Sequence, residues 1–303
     1  MDNLQKKRVL ITGANSFIGT SFENWAIKHY PAQLSISTLD MINPEWHKFD
    51  FSSFDSVFHV AGIAHADTGN VSEEIKAKYY AVNTDLSIET CRKAKKDGVK
   101  QFVFMSSAII YGESAPYGKI KRINKGTQPA PANFYGDSKW QADKGVRAEA
   151  ADGFNVAVIR PPMIYGKNSK GNYPLLSKLA KILPVFPDVK NERSMLYIDN
   201  LCEFLCQLIM RGDGGIYWPQ NTEYVSTSSM VRRISKEHGH KIWVSSLFNF
   251  PVWLCSKMPG KIGRLANKAF GSMSYEKKLS QCGFNYNVCD FSASIEHTES
   301  DCL

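Results

Sequence analysis

The chain has 303 residues, of which 43% are apolar, 12% aromatic and 22% charged, enough apolar material for a large core. Intrinsic disorder, a collagen-like repeat and a coiled coil are excluded, and the length suits one elaborated domain or two closely joined ones. A net charge of +8 leaves three anionic partners open: nucleic acid, a membrane surface or a phosphorylated small molecule.

The first eight residues are polar and charged, and the apolar run behind them, Val9-Leu10-Ile11, is too short for a signal peptide or an anchor. Strands are predicted over residues 8–12, 34–39, 56–60, 101–105 and 154–159, alternating with helices over 17–28, 72–97 and 134–151. That alternation predicts an α/β chain whose residues 1–165 form a doubly wound parallel sheet covered on both faces. Beyond Arg160-Pro161-Pro162, proline and glycine punctuate the chain and the alternation weakens. A strand and helix over 194–210 and a strand over 215–218 are expected to return to the sheet. Residues 166–193 and 220–303 then make a small C-terminal substrate-binding region, including a helix capped by Ser226 or Thr227 that runs to Glu237 and stops at Gly239.

Residues 242–254 are the most apolar later stretch, but Ser245, Ser246, Asn249 and Pro251 interrupt them. They fall short of the roughly 18 residues a membrane-spanning helix needs. With Lys257, Lys261, Arg264 and Lys268 nearby, two readings stand: a buried segment of the substrate region with solvated lysines, which is favoured, or a helix in peripheral contact with an anionic membrane. Seven scattered cysteines (Cys91, Cys202, Cys206, Cys255, Cys282, Cys289 and Cys302) show no metal-ligand spacing, so neither a metal site nor a disulfide framework is expected. Cys202 and Cys206 share a helix face and read as packing residues, and a reducing cytoplasm follows as the compartment. The basic residues are dispersed and lack interleaved aromatics, so no nucleic-acid partner is expected.

Two clusters carry chemistry. In Ile11-Thr12-Gly13-Ala14-Asn15-Ser16-Phe17-Ile18-Gly19, the first strand turns into the first helix, the place where helix amides hold a dinucleotide's pyrophosphate. Gly13 permits the turn, Gly19 lets helix and strand pack closely, and the Ser16 hydroxyl can donate to a phosphate. Asp40 ends the second strand 21 residues after Gly19, the offset of an acid that bonds the adenosine ribose, and it disfavours a 2′-phosphate, so NAD is expected over NADP. The competing reading of Asp40 is a residue that only starts a turn. Asp50-Phe51 is expected to bracket the adenine, and Ala61-Gly62 to let backbone pass close to the cofactor.

Tyr135-Gly136-Asp137-Ser138-Lys139 then places a phenol and an ammonium at i and i+4 near the start of a helix. Tyrosine's ordinary pKa near 10 is too high for a base at neutral pH, and the Lys139 cation together with an oxidised nicotinamide is expected to lower it. Met105-Ser106-Ser107 supplies a hydroxyl at a neighbouring strand end, with Ser107 preferred over Ser106 for the bond to the substrate oxygen.

These motifs, with Val82-Asn83-Thr84, Ser106 to Gly112 and Arg160 to Gly166, resemble the extended short-chain dehydrogenase/reductase superfamily in its NAD-dependent epimerase/dehydratase branch. The resemblance implies a Rossmann domain, a sugar-nucleotide substrate and Ser-Tyr-Lys catalysis by Ser107, Tyr135 and Lys139. It adds Asn83 and Pro162, with Tyr135 and Lys139, to the cofactor contacts, and implies homodimers joined through helices near 72–97 and 134–151. Asn172 and Arg193 correspond to residues near the substrate diphosphate; a surface ion pair is the plainer reading of Arg193.

Members that remove water across C5 and C6 usually carry an Asp-Glu pair beside the catalytic hydroxyl, where this chain has Ala108-Ile109, which disfavours dehydration. The expectation is an NAD-dependent UDP-sugar 4-epimerase of the UDP-glucose or UDP-N-acetylglucosamine type in surface polysaccharide synthesis. The alternative is an NAD(P)H-dependent 4-keto reductase of a nucleotide- or lipid-linked deoxy-amino sugar, favoured by Met163 where sugar 4-epimerases often place asparagine. A catalytically silent dinucleotide sensor is a third possibility, against which both Tyr135 and Lys139 stand.

Overall fold

The structure is a computed structural model that describes residues 6–64 and 71–300. Six parallel strands form the central sheet: β1 (Lys7–Thr12), β2 (Leu34–Leu39), β3 (Ser56–His59), β4 (Gln101–Met105), β5 (Asn155–Ile159) and β6 (Gly215–Tyr217). Their order is β2-β1-β3-β4-β5-β6. The chain thus winds outward from β1 to β2 and then returns to the other side of β1, which opens a crevice at the carboxyl ends of β1 and β3.

The inner strands are buried on both sides, and alternate residues serve opposite layers. Val9, Ile11, Val103, Met105, Ala157 and Ile159 pack with α1 (Phe17–His29) and α6 (Ile198–Arg211). Leu10, Phe102, Phe104, Val156 and Val158 face α3 (Leu86–Lys96) and α4 (Phe134–Ala148) on the other side. Helix α6 is buried along most of its length, Cys202 and Cys206 included.

The single helix expected over 72–97 is instead α2 (Glu73–Tyr80) and α3, joined by a π-helical turn, Ala81–Asp85. The widened turn lets the Asn83 side chain leave the helix and bond elsewhere. Beyond β5, short strand pairs tie the remaining segments together: Met163–Tyr165 with Met195–Tyr197, Val185–Pro187 with Trp243–Ser245, and Arg122–Ile123 with Ser274–Tyr275. The last pair attaches a loop from the first half of the chain to the C-terminal region. Helices α5 (Asn172–Ile182), α7 (Thr227–Glu237), α8 (Asn249–Lys257), α9 (Gly260–Phe270) and α10 (Phe291–Glu299) complete the fold. A reciprocal Ser226–Ser229 capping box opens α7.

Candidate active site at the sheet's carboxyl edge

The turn after β1 is shaped for close backbone approach. Gly13 has φ +119, and a β-carbon there would stand 2.6 Å from the Ala61 amide nitrogen. The Ala61 and Val60 amides both donate to the Thr12 carbonyl, at 2.9 and 3.0 Å, which locks the segment after β3 against the turn. Asn15 adopts the left-handed conformation (φ 60), and Ser16 caps α1 by accepting from the Gly19 amide at 3.1 Å. The Ser16 proton is thereby left to donate. No acid occupies the first turn of α1, so the positive end of its dipole is open to an anion beside Phe17 and Ile18.

Asp40 lies one residue past Leu39, whose carbonyl accepts from the Gly13 amide at 3.0 Å. Its Oδ1 accepts from the Ile42 amide at 2.9 Å, and among the described residues Oδ2 has no partner. The carboxylate therefore starts a turn and also presents one oxygen beside the phosphate turn.

The Asp50-Phe51 expectation fails on its side chains. Both Asp50 oxygens accept from Ser52, through its amide and its hydroxyl at 2.8 Å each, and these bonds hold the carboxyl below its usual range. The Phe51 ring is wholly buried with Trp46 and Cys91, so it has no face to offer an adenine.

Asn83 is also corrected. Its Oδ1 accepts from the Ile63 amide at 2.8 Å, and its Nδ2 donates to the Ile63 carbonyl and the Ser138 hydroxyl at 3.1 Å each. Fully buried, with both Nδ2 protons donated and Oδ1 accepting once, it is a clamp between the segment after β3 and α4. Gly62 sits in this clamp. A β-carbon there would lie 3.0 Å from Asn83 Oδ1 and 3.6 Å from Lys139 Nζ, so a side chain would crowd the lysine.

Asn133 caps α4 by accepting from the Gly136 amide at 2.9 Å, which places Tyr135 in the first turn. The Tyr135 ring meets Tyr79 edge-on, with centroids 5.9 Å apart, and its hydroxyl has no partner among the described residues. One turn on, Lys139 Nζ donates to the Met105 carbonyl at 2.8 Å and lies 4.9 Å from the centre of the Phe104 ring. That bond pins α4 to the end of β4, two residues before Ser107. Burial lowers the lysine to about 8 against an opposing pull from Asp143, so it remains mainly cationic at neutral pH. Burial, with a smaller contribution from Tyr79, raises Tyr135 to about 12. The expected lowering by Lys139 is absent in this state: the ammonium is committed to the Met105 carbonyl, and desolvation of the phenolate prevails.

The two serines are separated by a network that the sequence reading missed. Ser106 is buried and donates to Asp143 Oδ2 at 2.8 Å. The Arg160 guanidinium grips the same carboxylate with Nε and Nη2, at 2.9 and 2.8 Å, and Arg147 Nε adds a bond at 2.9 Å. Tyr111 accepts from Arg160 Nη1 and Trp218 Nε1 at 2.8 Å each, carrying the network to the C-terminal end of the sheet. Ser107 is outside it. Its Oγ accepts from the Ile109 amide at 3.2 Å, leaving the proton to donate. The available signal was Asp143 at i+4 from Lys139. Pro162 follows β5 in the same region, and the adjacent Pro161 carbonyl accepts from the Ala108 amide at 2.9 Å.

His59 was also missed. It is fully buried in β3, accepts from Thr12 Oγ1 at 2.8 Å and donates to Ser87 Oγ at 3.1 Å; Ser87 in turn donates to the Asn83 carbonyl at 2.8 Å. Burial, then the nearby Lys139, lowers its pKa to about 3, so it is a neutral link beneath the phosphate turn.

Arg193 is half-buried and is not the surface ion pair of the plainer reading. Its Nη2 donates to the Lys268 carbonyl at 2.8 Å, and among the described residues no carboxylate pairs with it. Its backbone bridges Val225 and Met273, which fixes it between two segments of the C-terminal region. Asn172 is exposed at the first residue of α5.

A family model for the NAD dependent epimerase/dehydratase family matches residues 9–217. The UDP-glucose 4-epimerase of Vibrio cholerae is 27% identical over 281 residues, covering 86% of this chain and 84% of that protein. The N-acetyl-alpha-D-glucosaminyl-diphospho-ditrans,octacis-undecaprenol 4-epimerase of Escherichia coli O157:H7 is 30% identical over 218 residues, covering 65% and 61%. Among solved structures, a dTDP-4-dehydrorhamnose reductase of Clostridium acetobutylicum superposes with a TM-score of 0.71 over 96% of this chain and 98% of its own, at 14% identity, a likeness of fold. Since the family model covers more than half of the sequence and both the phosphate turn and the Tyr135/Lys139 helix lie inside it, the chain belongs to the NAD dependent epimerase/dehydratase family.

Proposed function

We propose that this protein is a UDP-sugar 4-epimerase, acting on a substrate of the UDP-glucose or UDP-N-acetylglucosamine type in surface polysaccharide synthesis in the cytoplasm. The observation that carries the reading is the Tyr135 hydroxyl, without a protein partner among the described residues, on the same helix as a buried Lys139 ammonium bonded to the end of β4. The residues fit a dinucleotide: Gly13 lets the segment after β3 close against the turn, Gly62 keeps a side chain off Lys139, the start of α1 faces its phosphates, and Asp40 offers Oδ2 to its ribose. When bound, NAD supplies a reversible hydride acceptor.

Ser107 Oγ donates to the C4 oxygen of the sugar and orients it. Tyr135 Oη, as phenolate, takes the C4 hydroxyl proton as the hydride leaves that carbon. After the keto sugar turns over, the phenol returns the proton to the oxygen while hydride is restored to the opposite face, so no net oxidation occurs. Lys139 does not lower the Tyr135 pKa by itself, so its charge favours the phenolate only together with that of the oxidised nicotinamide, and Arg193 offers unused guanidinium donors to the diphosphate. Pairing through α2, α3 and α4 is the expected homodimer.

Met163 supports the second reading, a 4-keto reductase, because it occupies the position where sugar 4-epimerases often carry asparagine. One experiment separates the two. The nucleotide that copurifies is identified, and the protein is incubated with UDP-glucose and UDP-N-acetylglucosamine. Bound NAD and 4-epimer formation without net cofactor consumption, abolished in Tyr135→Phe with NAD retained, is the expected result. NAD(P)H oxidation only with a 4-keto sugar overturns the epimerase in favour of the reductase.

A further inference from the structure

Helices α8 and α9 form a hairpin that the core barely uses. No residue of α8 is buried, and in α9 only Gly263 is. This overturns the favoured expectation of a buried segment. Along α8, Phe250, Trp253, Leu254 and Lys257 fall at i, i+3, i+4 and i+7, one face of the helix. Phe250 is 66% exposed and stacks on Trp253 with centroids 5.7 Å apart; Leu254 is 52% exposed, and Ile262 and Leu265 on α9 are similarly open. The preceding Leu247 is 71% exposed. Folding leaves this apolar surface in water, in contrast to the closely filled layers on the sheet.

The charge of the same segment has one sign. Between Glu237 and Glu276 there is no acidic residue, while Lys241, Lys257, Lys261, Arg264 and Lys268 are present, all exposed and none in an ion pair among the described residues. Several exposed cations of other helices lie beside a carboxylate, as Arg92 does with Glu149 and Lys181 with Glu299. Among the described residues no helix is long and apolar enough to cross a membrane.

We propose that the α8–α9 hairpin docks this protein on an anionic lipid bilayer. Phe250, Trp253, Leu254, Ile262 and Leu265 enter the headgroup and acyl boundary, and the unpaired cations meet lipid phosphates. The complementarity chooses this occupant: a second copy of the chain would bring an equally cationic hairpin against this one. The hairpin is also joined to the proposed substrate end of the site. Arg193 donates to the Lys268 carbonyl, Asn191 Nδ2 to the Gly271 carbonyl at 3.0 Å, and Thr227 Oγ1 to the Ala269 carbonyl at 2.6 Å. Docking therefore holds the arginine-bearing end of the site next to the membrane-bound element. The inference does not depend on which reaction the site performs.

The test is flotation of the full chain with phosphatidylethanolamine/phosphatidylglycerol vesicles, beside pure phosphatidylcholine vesicles. The wild-type chain is expected to float with the first and not the second, and to release in high salt. Lys257→Glu with Lys261→Glu should lower partitioning by about fivefold for each cation removed, before counting the added negative charge. Phe250→Ser with Trp253→Ser should remove flotation while NAD retention and the circular dichroism spectrum stay unchanged, since neither ring supports the core. Absence of flotation, or equal flotation by both variants, overturns the proposal. So does a wild-type dimer that the apolar variant converts to monomer without vesicle binding, which would make the hairpin a self-association surface. Flotation is read without turnover, so a failed activity assay leaves this result standing, and the reverse.

Discussion

Replacing Asp143 by asparagine probes how the active site is held and how Lys139 is tuned. Asp143 is fully buried and accepts from Ser106, from Arg147 and twice from Arg160, which is itself buried, all at 2.8 to 2.9 Å. The amide keeps the shape of the carboxylate but strands the Arg160 guanidinium without its counter-charge in a desolvated site, a change that costs about 3–5 kcal/mol. In urea unfolding followed by circular dichroism, D143N should lose that much stability. The double variant Asp143→Leu with Arg160→Met should recover most of it, because burying no charge is as good as burying a pair. Asp143 also opposes the burial that lowers Lys139 to about 8, so its removal moves the lysine lower still. The ammonium is then lost at a lower pH, and the alkaline limb of kcat shifts toward acid. A loss under about 1 kcal/mol, the level of an exposed pair, would refute the buried network, and an unmoved alkaline limb would refute the coupling to Lys139.

Arg193→Met should raise KM for the sugar nucleotide roughly ten- to hundredfold with kcat nearly kept, as expected for a charge-assisted bond shared by ground and transition states; an unchanged KM would remove Arg193 from the site. Asp40→Ala should narrow the preference for NAD over NADP in titrations followed by fluorescence, and an unaltered ratio would count against its ribose role. His59 titrates near 6.5 when unfolded and about 3 when folded, so the unfolded chain takes up the proton first as pH falls. Its contribution is intact above about pH 6.5 and is lost between there and about pH 3, on the order of 5 kcal/mol in all. His59→Gln should flatten that acid slope of stability, and an identical slope in the variant would contradict the buried neutral ring.

Local pattern determined much of this protein. Val9 to Ile11, Phe102 to Phe104 and Val156 to Val158 are apolar at every position because both faces of a parallel sheet are covered, and such runs are visible in a window of a few residues. The Gly13 to Gly19 turn and the i, i+4 spacing of Tyr135 and Lys139 are likewise local, so the turn into α1 and the helix that carries the proposed base were legible in the sequence. What depended on partners far along the chain was not. Ser106 and Ser107 are chemically alike in sequence, and only Asp143, 37 residues from Ser106, draws one into the core and leaves the other's proton free to donate. Asn83 becomes a clamp because Ile63 and Ser138 converge on it, and Phe51 turns inward because Trp46 and Cys91 cover it. The same holds for residues 249–270, for which the sequence favoured a buried segment over a surface helix. Whether an apolar face is covered depends on what the rest of the fold packs against it, and here the tertiary structure leaves it open to solvent.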